Sequence, residues 1–328
     1  MLLQTISLTL KVYLCCAAVI FLSLPFLSYG QTISDQQREP EWVFRNESDS
    51  AANFYLVLRP MAEPKGLLVI LPGFGGFPSR TLDETELPAK AQRDGYLVVI
   101  PFLAPRTFYT DSISQHRLTT LIPEVLAKYN VPRRRFIIGG HSAGGNGALL
   151  YAEHAYMSNQ SDMIKPDLIF GVDPPLDMKK LWESFEYIKS INFSDVAVNE
   201  ANFIMRKFET ELGGTPSQKP AEYENISSFS RGAGDGGKLK YLKDVPIRLY
   251  CDPDIQWYIE NRRMPYEFLN AADLSACIVQ LRLLGNDDAE LVTNIGKGYF
   301  PDGRRHPHAF SQLDADEFLH WANAQFGR

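Results

Sequence analysis

Short runs of consecutive apolar and β-branched residues recur along the chain at residues 54–58, 67–71, 97–102, 136–140, 168–172, 247–251 and 277–284. Runs of this length that are apolar at every position, rather than at alternate ones, predict strands buried on both faces. Between them the spacing becomes helical. Leu118, Leu121, Ile122, Val125 and Leu126 fall on one helix face, as do Phe318, Leu319, Trp321 and Ala322 near the C-terminus. Strands alternating with amphipathic helices predict an α/β fold with a mostly parallel central sheet and helices on both faces.

The interval between the runs at 168–172 and 247–251 is far longer than a crossover needs. Within it Leu181, Trp182, Phe185 and Ile188 have helical spacing, as do Ile204, Phe208 and Leu212 ahead of a Gly213-Gly214 stop, and residues 231–237 are glycine-rich. Residues 174–244 are therefore expected to form a helical cap over the C-terminal edge of the sheet, within a domain spanning 31–328. Residues 1–30 stand apart. Lys11 precedes an apolar run from 12 to 27, and Ser28-Tyr29-Gly30 supplies a cleavage site, which together read as a signal peptide. Pro25 interrupts the run and disfavours an uncleaved anchor. The expectation is export to the periplasm or the exterior, with no membrane association after cleavage.

Composition changes this picture little. The formal net charge is −6. The compact basic run Arg133-Arg134-Arg135 leads into an apolar strand, so it reads as a solvated strand start, and no nucleic-acid partner is expected without clustered Lys and Arg. Loss of the leader leaves Cys251 and Cys277. Placed on successive strands they would lie at opposite sheet edges and stay free thiols.

The chemistry concentrates after the run at 136–140, where Gly140-His141-Ser142-Ala143-Gly144 forms Gly-x-Ser-x-Gly ahead of a helical stretch. On a strand-turn-helix this pattern is a nucleophile elbow: the turn is so tight that only glycine fits beside the serine, and the next helix aims its N-terminus at a developing oxyanion. Neither a dinucleotide fingerprint nor a phosphate loop has its required spacing here, so no cofactor is expected. His306 and His308 lack the further ligands a metal site needs.

On these residues the chain resembles the α/β-hydrolase superfamily. The resemblance implies an α/β-hydrolase fold in which Ser142 attacks an acyl carbonyl. Pro72-Gly73-Phe74-Gly75-Gly76 is similar to the superfamily's oxyanion loop, with Pro72 where a histidine often stands, which would assign the oxyanion hole to the backbone N–H groups of Phe74 and Ala143. His308, followed by Ala309 and Phe310 ahead of the last helix, fits the base better than His306, and His141 is expected to line the pocket. The family pattern selects Asp254 as the acid, beyond the strand at 247–251. Asp252 and Asp173 remain alternatives. The implied activity is that of a serine hydrolase, a carboxylic ester hydrolase working through an acyl-enzyme on a small-molecule ester or acyl substrate. The aromatic side chains of Trp182, Phe185, Tyr187, Phe203 and Phe208 would line its cleft. A serine peptidase of the same fold and a non-catalytic binding protein are the alternatives.

Overall fold

The apolar runs assemble into a sheet in the computed structural model, which describes residues 38–45, 53–104, 108–158 and 163–327. The leader expected at residues 1–30 lies outside these. In chain order the strands are β1 (Glu41–Phe44), β2 (Phe54–Leu58), β3 (Gly66–Leu71), β4 (Tyr96–Phe102), β5 (Phe136–His141), β6 (Leu168–Val172), β7 (Ile247–Cys251) and β8 (Ala289–Thr293), hydrogen-bonded in the order β1-β2-β4-β3-β5-β6-β7-β8. From β4 to β8 across the sheet every pairing is parallel, and β1 and β2 close one edge antiparallel. The helices are α1 (Pro78–Glu84), α2 (Leu87–Arg93), α3 (Ser112–Lys128), α4 (Ala143–Met157), α5 (Met178–Ile191), α6 (Asp195–Leu212), α7 (Pro220–Asn225), α8 (Ile255–Asn261), α9 (Asn270–Leu283) and α10 (Ala315–Gln325).

Alternation along each strand splits the core in two. Leu67, Val69 and Leu71 pack with residues of α3, α4 and α9, whereas Leu68 and Ile70 face the other way, onto Leu87 and Ala91 of α2 and Phe318 and Trp321 of α10. This is why the strands read as continuously apolar. The same parallel register sets the site. His141 pairs with Val172 and Val172 with Tyr250, so Ser142 and Asp173, the residues that follow β5 and β6, leave the sheet side by side at its C-terminal edge, beside the end of β7.

One expected strand is a helix. Residues 277–284 belong mainly to α9, on which Leu274, Cys277, Ile278 and Leu281 are buried at helical spacing, and the last strand is the half-exposed β8. A short apolar run does not declare its period, and the helical stripe is visible only when the window extends back to Leu274. Cys251 and Cys277 are both buried and free. The reason is not the one expected, since Cys277 sits on a helix.

Between β6 and β7 the insert carries α5, α6 and α7. Asp177 caps α5 by accepting from the N–H groups of Lys179 and Lys180, and Ser194 caps α6. Gly213 ends α6 in the left-handed conformation at φ 79°. The glycine-rich loop at 231–237 is tethered at its start: the Arg231 N–H donates to Asp177 at 3.0 Å, and its guanidinium meets Asp273 at 2.6 Å.

Among the described residues, one buried carboxyl lacks any hydrogen-bond partner. Glu153 of α4 is fully buried, and neither carboxyl oxygen has a hydrogen-bond partner. Burial drives its pKa well above the usual carboxylate value, against the lowering field of Lys238, and burial in turn lowers that lysine. Because the folded pKa is raised, the unfolded chain releases this proton first, and stability falls as pH rises from about 4.3 toward the folded value. Glu153→Gln removes the titration. Its melting temperature is expected to match the wild type near pH 4 and to exceed it by a growing margin as pH rises; a gap that does not widen in a thermal-denaturation series contradicts this assignment.

Candidate active site

The serine stands where two close approaches allow it. Ser142 adopts φ 53° and ψ −125° between the end of β5 and the start of α4, and its N–H donates to the Val172 carbonyl at 2.9 Å. A Cβ on Gly140 would lie 2.4 Å from the Leu71 carbonyl oxygen, and one on Gly144 only 2.2 Å from the same atom. Both flanking glycines are thus required by β3, and the strained backbone between them lifts the hydroxyl above the sheet.

His308 reaches this hydroxyl from the loop before α10. Its Nε2 lies 2.9 Å from Ser142 Oγ, and its Nδ1 lies 2.5 Å from Asp173 Oδ2. A carboxylate only accepts, so Nδ1 carries the proton and Nε2 is free to take one from the serine. The carboxylate beside the base is therefore Asp173 and not Asp254, which corrects the expectation. Asp173 follows β6, is 5% exposed, and adopts φ 47°; its N–H donates to the Tyr250 carbonyl, and its own carbonyl accepts from Asn270. Asp254 is used otherwise. It caps α8 through the Trp257 N–H at 3.0 Å and pairs with Arg305 at 2.9 Å. Asp252 accepts from the N–H groups of Gly296, Lys297 and Gly298 and meets Arg305 at 2.7 Å. These two carboxylates fix the loop that leads to His308, at one remove from the imidazole.

Three histidines share this rim with different electrostatics. Burial lowers the pKa of His308, but the Asp173 hydrogen bond and charge, helped by Glu200 of α6, outweigh it and leave the pKa raised. His141 and His306 lack a carboxylate. Burial, together with the neighbouring His308, holds each near a pKa of about 3, so both are neutral. His141 does more than line a pocket: its Nε2–H donates to the His308 carbonyl at 2.6 Å, and its ring stacks on Phe310 at 5.3 Å. It thereby clamps the base-bearing loop to the elbow. Its place inside the Gly-x-Ser-x-Gly sequence was the available signal, but the partner carbonyl lies 167 residues away.

The glycine loop lies alongside. A Cβ on Gly73 would sit 3.6 Å from Ser142 Cβ, and Gly76 N–H closes the turn onto the Gly73 carbonyl. The Phe74 ring packs against Phe108 at 4.9 Å and Phe203 of α6 at 6.2 Å. Phe203 is the side chain of the expected aromatic lining that meets this loop, and it is 55% exposed. Trp182, Phe185 and Phe208 are buried in the core instead, and Tyr187 stacks on Phe268. An amphipathic helix buries its larger aromatic residues first, so composition overstated the aromatic cleft.

No protein-family model and no curated protein matches the sequence. Solved structures do. The chain is similar to an esterase from Rhizomucor miehei at TM-score 0.60 and 14% identity, covering 89% of this chain and 86% of that one. It is similar to carboxyl esterase 2 of Tuber melanosporum at TM-score 0.57 and 13% identity, covering 95% and 93%. A Pyrococcus horikoshii acylaminoacyl peptidase matches at TM-score 0.54 and 15% identity over 88% of this chain, which spans 42% of that protein. With the parallel sheet and the elbow above, these likenesses identify the fold as that of the α/β-hydrolases.

The short His308–Asp173 contact has a direct spectroscopic consequence. A far-downfield proton resonance from His308 Nδ1–H is expected in the wild type, abolished in Asp173→Asn and retained in Asp254→Asn. Loss in the second variant instead of the first would return the acid role to Asp254.

Proposed function

We propose that this chain is a serine hydrolase that cleaves carboxylic esters through an acyl-enzyme on Ser142. The observation that carries the reading is the continuous relay from Ser142 Oγ to His308 at 2.9 Å and from His308 to Asp173 at 2.5 Å. As Oγ attacks the acyl carbonyl, His308 Nε2 takes its proton, and Asp173 stabilises the imidazolium and holds its tautomer. The carbonyl π-pair becomes the oxyanion, for which the backbone N–H groups of Phe74 and Ala143 are the proposed donors. Collapse expels the alkoxide, which receives the proton from His308, and water repeats the sequence to free the acid. The imidazole keeps 32% of its surface exposed, so a substrate can reach it. An uncharged acyl half suits the Phe74–Phe203 flank, and the reading includes export after cleavage at Gly30.

A peptidase is the second reading, favoured by the likeness to the acylaminoacyl peptidase. The ratio of kcat/KM for an ester and its matched amide separates the two. Ester preference is expected, and amide cleavage as fast as ester cleavage overturns it. Reaction with a fluorophosphonate should place a single adduct on Ser142; no adduct would favour a binding protein.

Ser142→Ala is expected to lower kcat/KM for p-nitrophenyl butyrate by about three orders of magnitude or more. Near-full turnover in that variant would refute the nucleophile. Since only neutral His308 accepts the serine proton, activity should fall as pH drops through its pKa, above the ordinary 6.5. Asp173→Asn removes both effects of that carboxylate, so the acid limb of its residual activity should move to lower pH. A limb that stays in place, measured as kcat/KM against pH, contradicts the pairing.

A further inference from the structure

Beyond the relay the rim carries a cation without an ion pair. Arg262 follows α8, its N–H donating to the Tyr258 carbonyl, and its guanidinium lies 5.2 Å over the Trp257 ring. Its side-chain contacts are Ser194 Oγ at 3.3 Å, the Asn261 carbonyl at 3.2 Å and His306 Nε2 at 3.5 Å. The next arginines along the rim are satisfied by carboxylates, Arg304 by Asp302 and Arg305 by Asp252 and Asp254. Among the described residues none of the contacts of Arg262 is a carboxylate.

The histidine it faces sharpens the point. His306 Nδ1 accepts the His308 N–H at 3.2 Å, and the ring is neutral, so its single proton is on Nε2. The guanidinium N–H and the His306 Nε2–H are thus two donors directed at each other, the His306 ring lying against Trp257 and Phe300 and the guanidinium over Trp257. A planar carboxylate is a group that can accept from both donors at once.

The side of the site on which this pair lies selects the part of the substrate. His308 Nε2 must hand its proton to the departing alkoxide, so the leaving alcohol lies on the histidine side, where the His306 ring stands 6.4 Å from that of His308 with Arg262 beyond it. Among the charged groups of α6, Glu200 is the one whose negative field reaches His308, and it repels a second anion placed beside it. We propose that Arg262 and His306 Nε2–H form a carboxylate subsite that selects esters whose alcohol half is a hydroxy acid. This rests on the ester-hydrolase reading and narrows it to a substrate class.

The test uses acetate esters of ω-hydroxy acids of graded chain length, each compared with its neutral primary amide. In the wild type the acid-to-amide ratio of kcat/KM should peak at one length. At that length Arg262→Gln should lower the ratio about tenfold or more, and His306→Phe should lower it in the same direction. The free hydroxy acid of that length should inhibit the wild type more strongly than Arg262→Gln. If Arg262 only ties the insert to the histidine loop through Ser194, both esters slow together, and an unchanged ratio overturns the proposal. Hydrolysis of the amides with no charge preference at any length overturns the subsite alone, whereas hydrolysis of no ester in either series overturns the ester-hydrolase reading and the subsite with it.

Discussion

The left-handed backbone at Ser142 persists because several neighbours close on it together: the Leu71 carbonyl presses on Gly140 and Gly144, and the Val172 carbonyl accepts the serine N–H. A non-glycine residue at this φ is strained by itself and survives only where the surroundings over-determine it. The surroundings here are the ends of β3, β5 and β6, so the Ser142 hydroxyl can be no better placed than the parallel register that aligns them. That register also brings Asp173 to the same edge. Both catalytic candidates outside the histidine loop are thus consequences of one pattern of strand pairing.

The histidine loop is held by charge and not by apolar packing alone. Asp252, with its side chain inaccessible to solvent, collects three backbone N–H groups and Arg305, an arrangement in which a buried carboxylate is fully compensated. Asp254 shares the same arginine. Division of labour follows: two carboxylates after β7 hold the loop, and one after β6 meets the imidazole it presents. Neutral His141 and His306 bracket His308 through its carbonyl and its N–H, and of these three imidazoles His308 is the one that meets a carboxylate among the described residues.

The insert adds little to this machinery and much to its surroundings. Its apolar stripe sinks into the main core through Trp182, Phe185, Ile204 and Phe208, which makes it part of the same folding unit in energetic terms. What it leaves toward the rim is sparse: Phe203 against Phe74, the field of Glu200, and Ser194 on Arg262. In such a site few groups are left to set selectivity.

Ser142 and His308 were legible in the sequence because each is marked locally, one by flanking glycines that a tight turn demands, the other by its place before the final amphipathic helix. The strands at 168–172 and 247–251 were equally plain, since a strand buried on both faces writes its burial into every position. Which carboxylate meets the imidazole was not legible. Asp173, Asp252 and Asp254 all follow strand ends, two of them ahead of proline, and nothing local distinguishes a carboxylate that meets an imidazole from one that meets an arginine. That choice is made by contacts 135 and 51 residues apart along the chain, His308 with Asp173 and Arg305 with Asp254. The period of residues 277–284 and the true exposure of the insert's aromatics were withheld for the same reason: local pattern determines which faces are apolar, and only tertiary packing decides what each face meets.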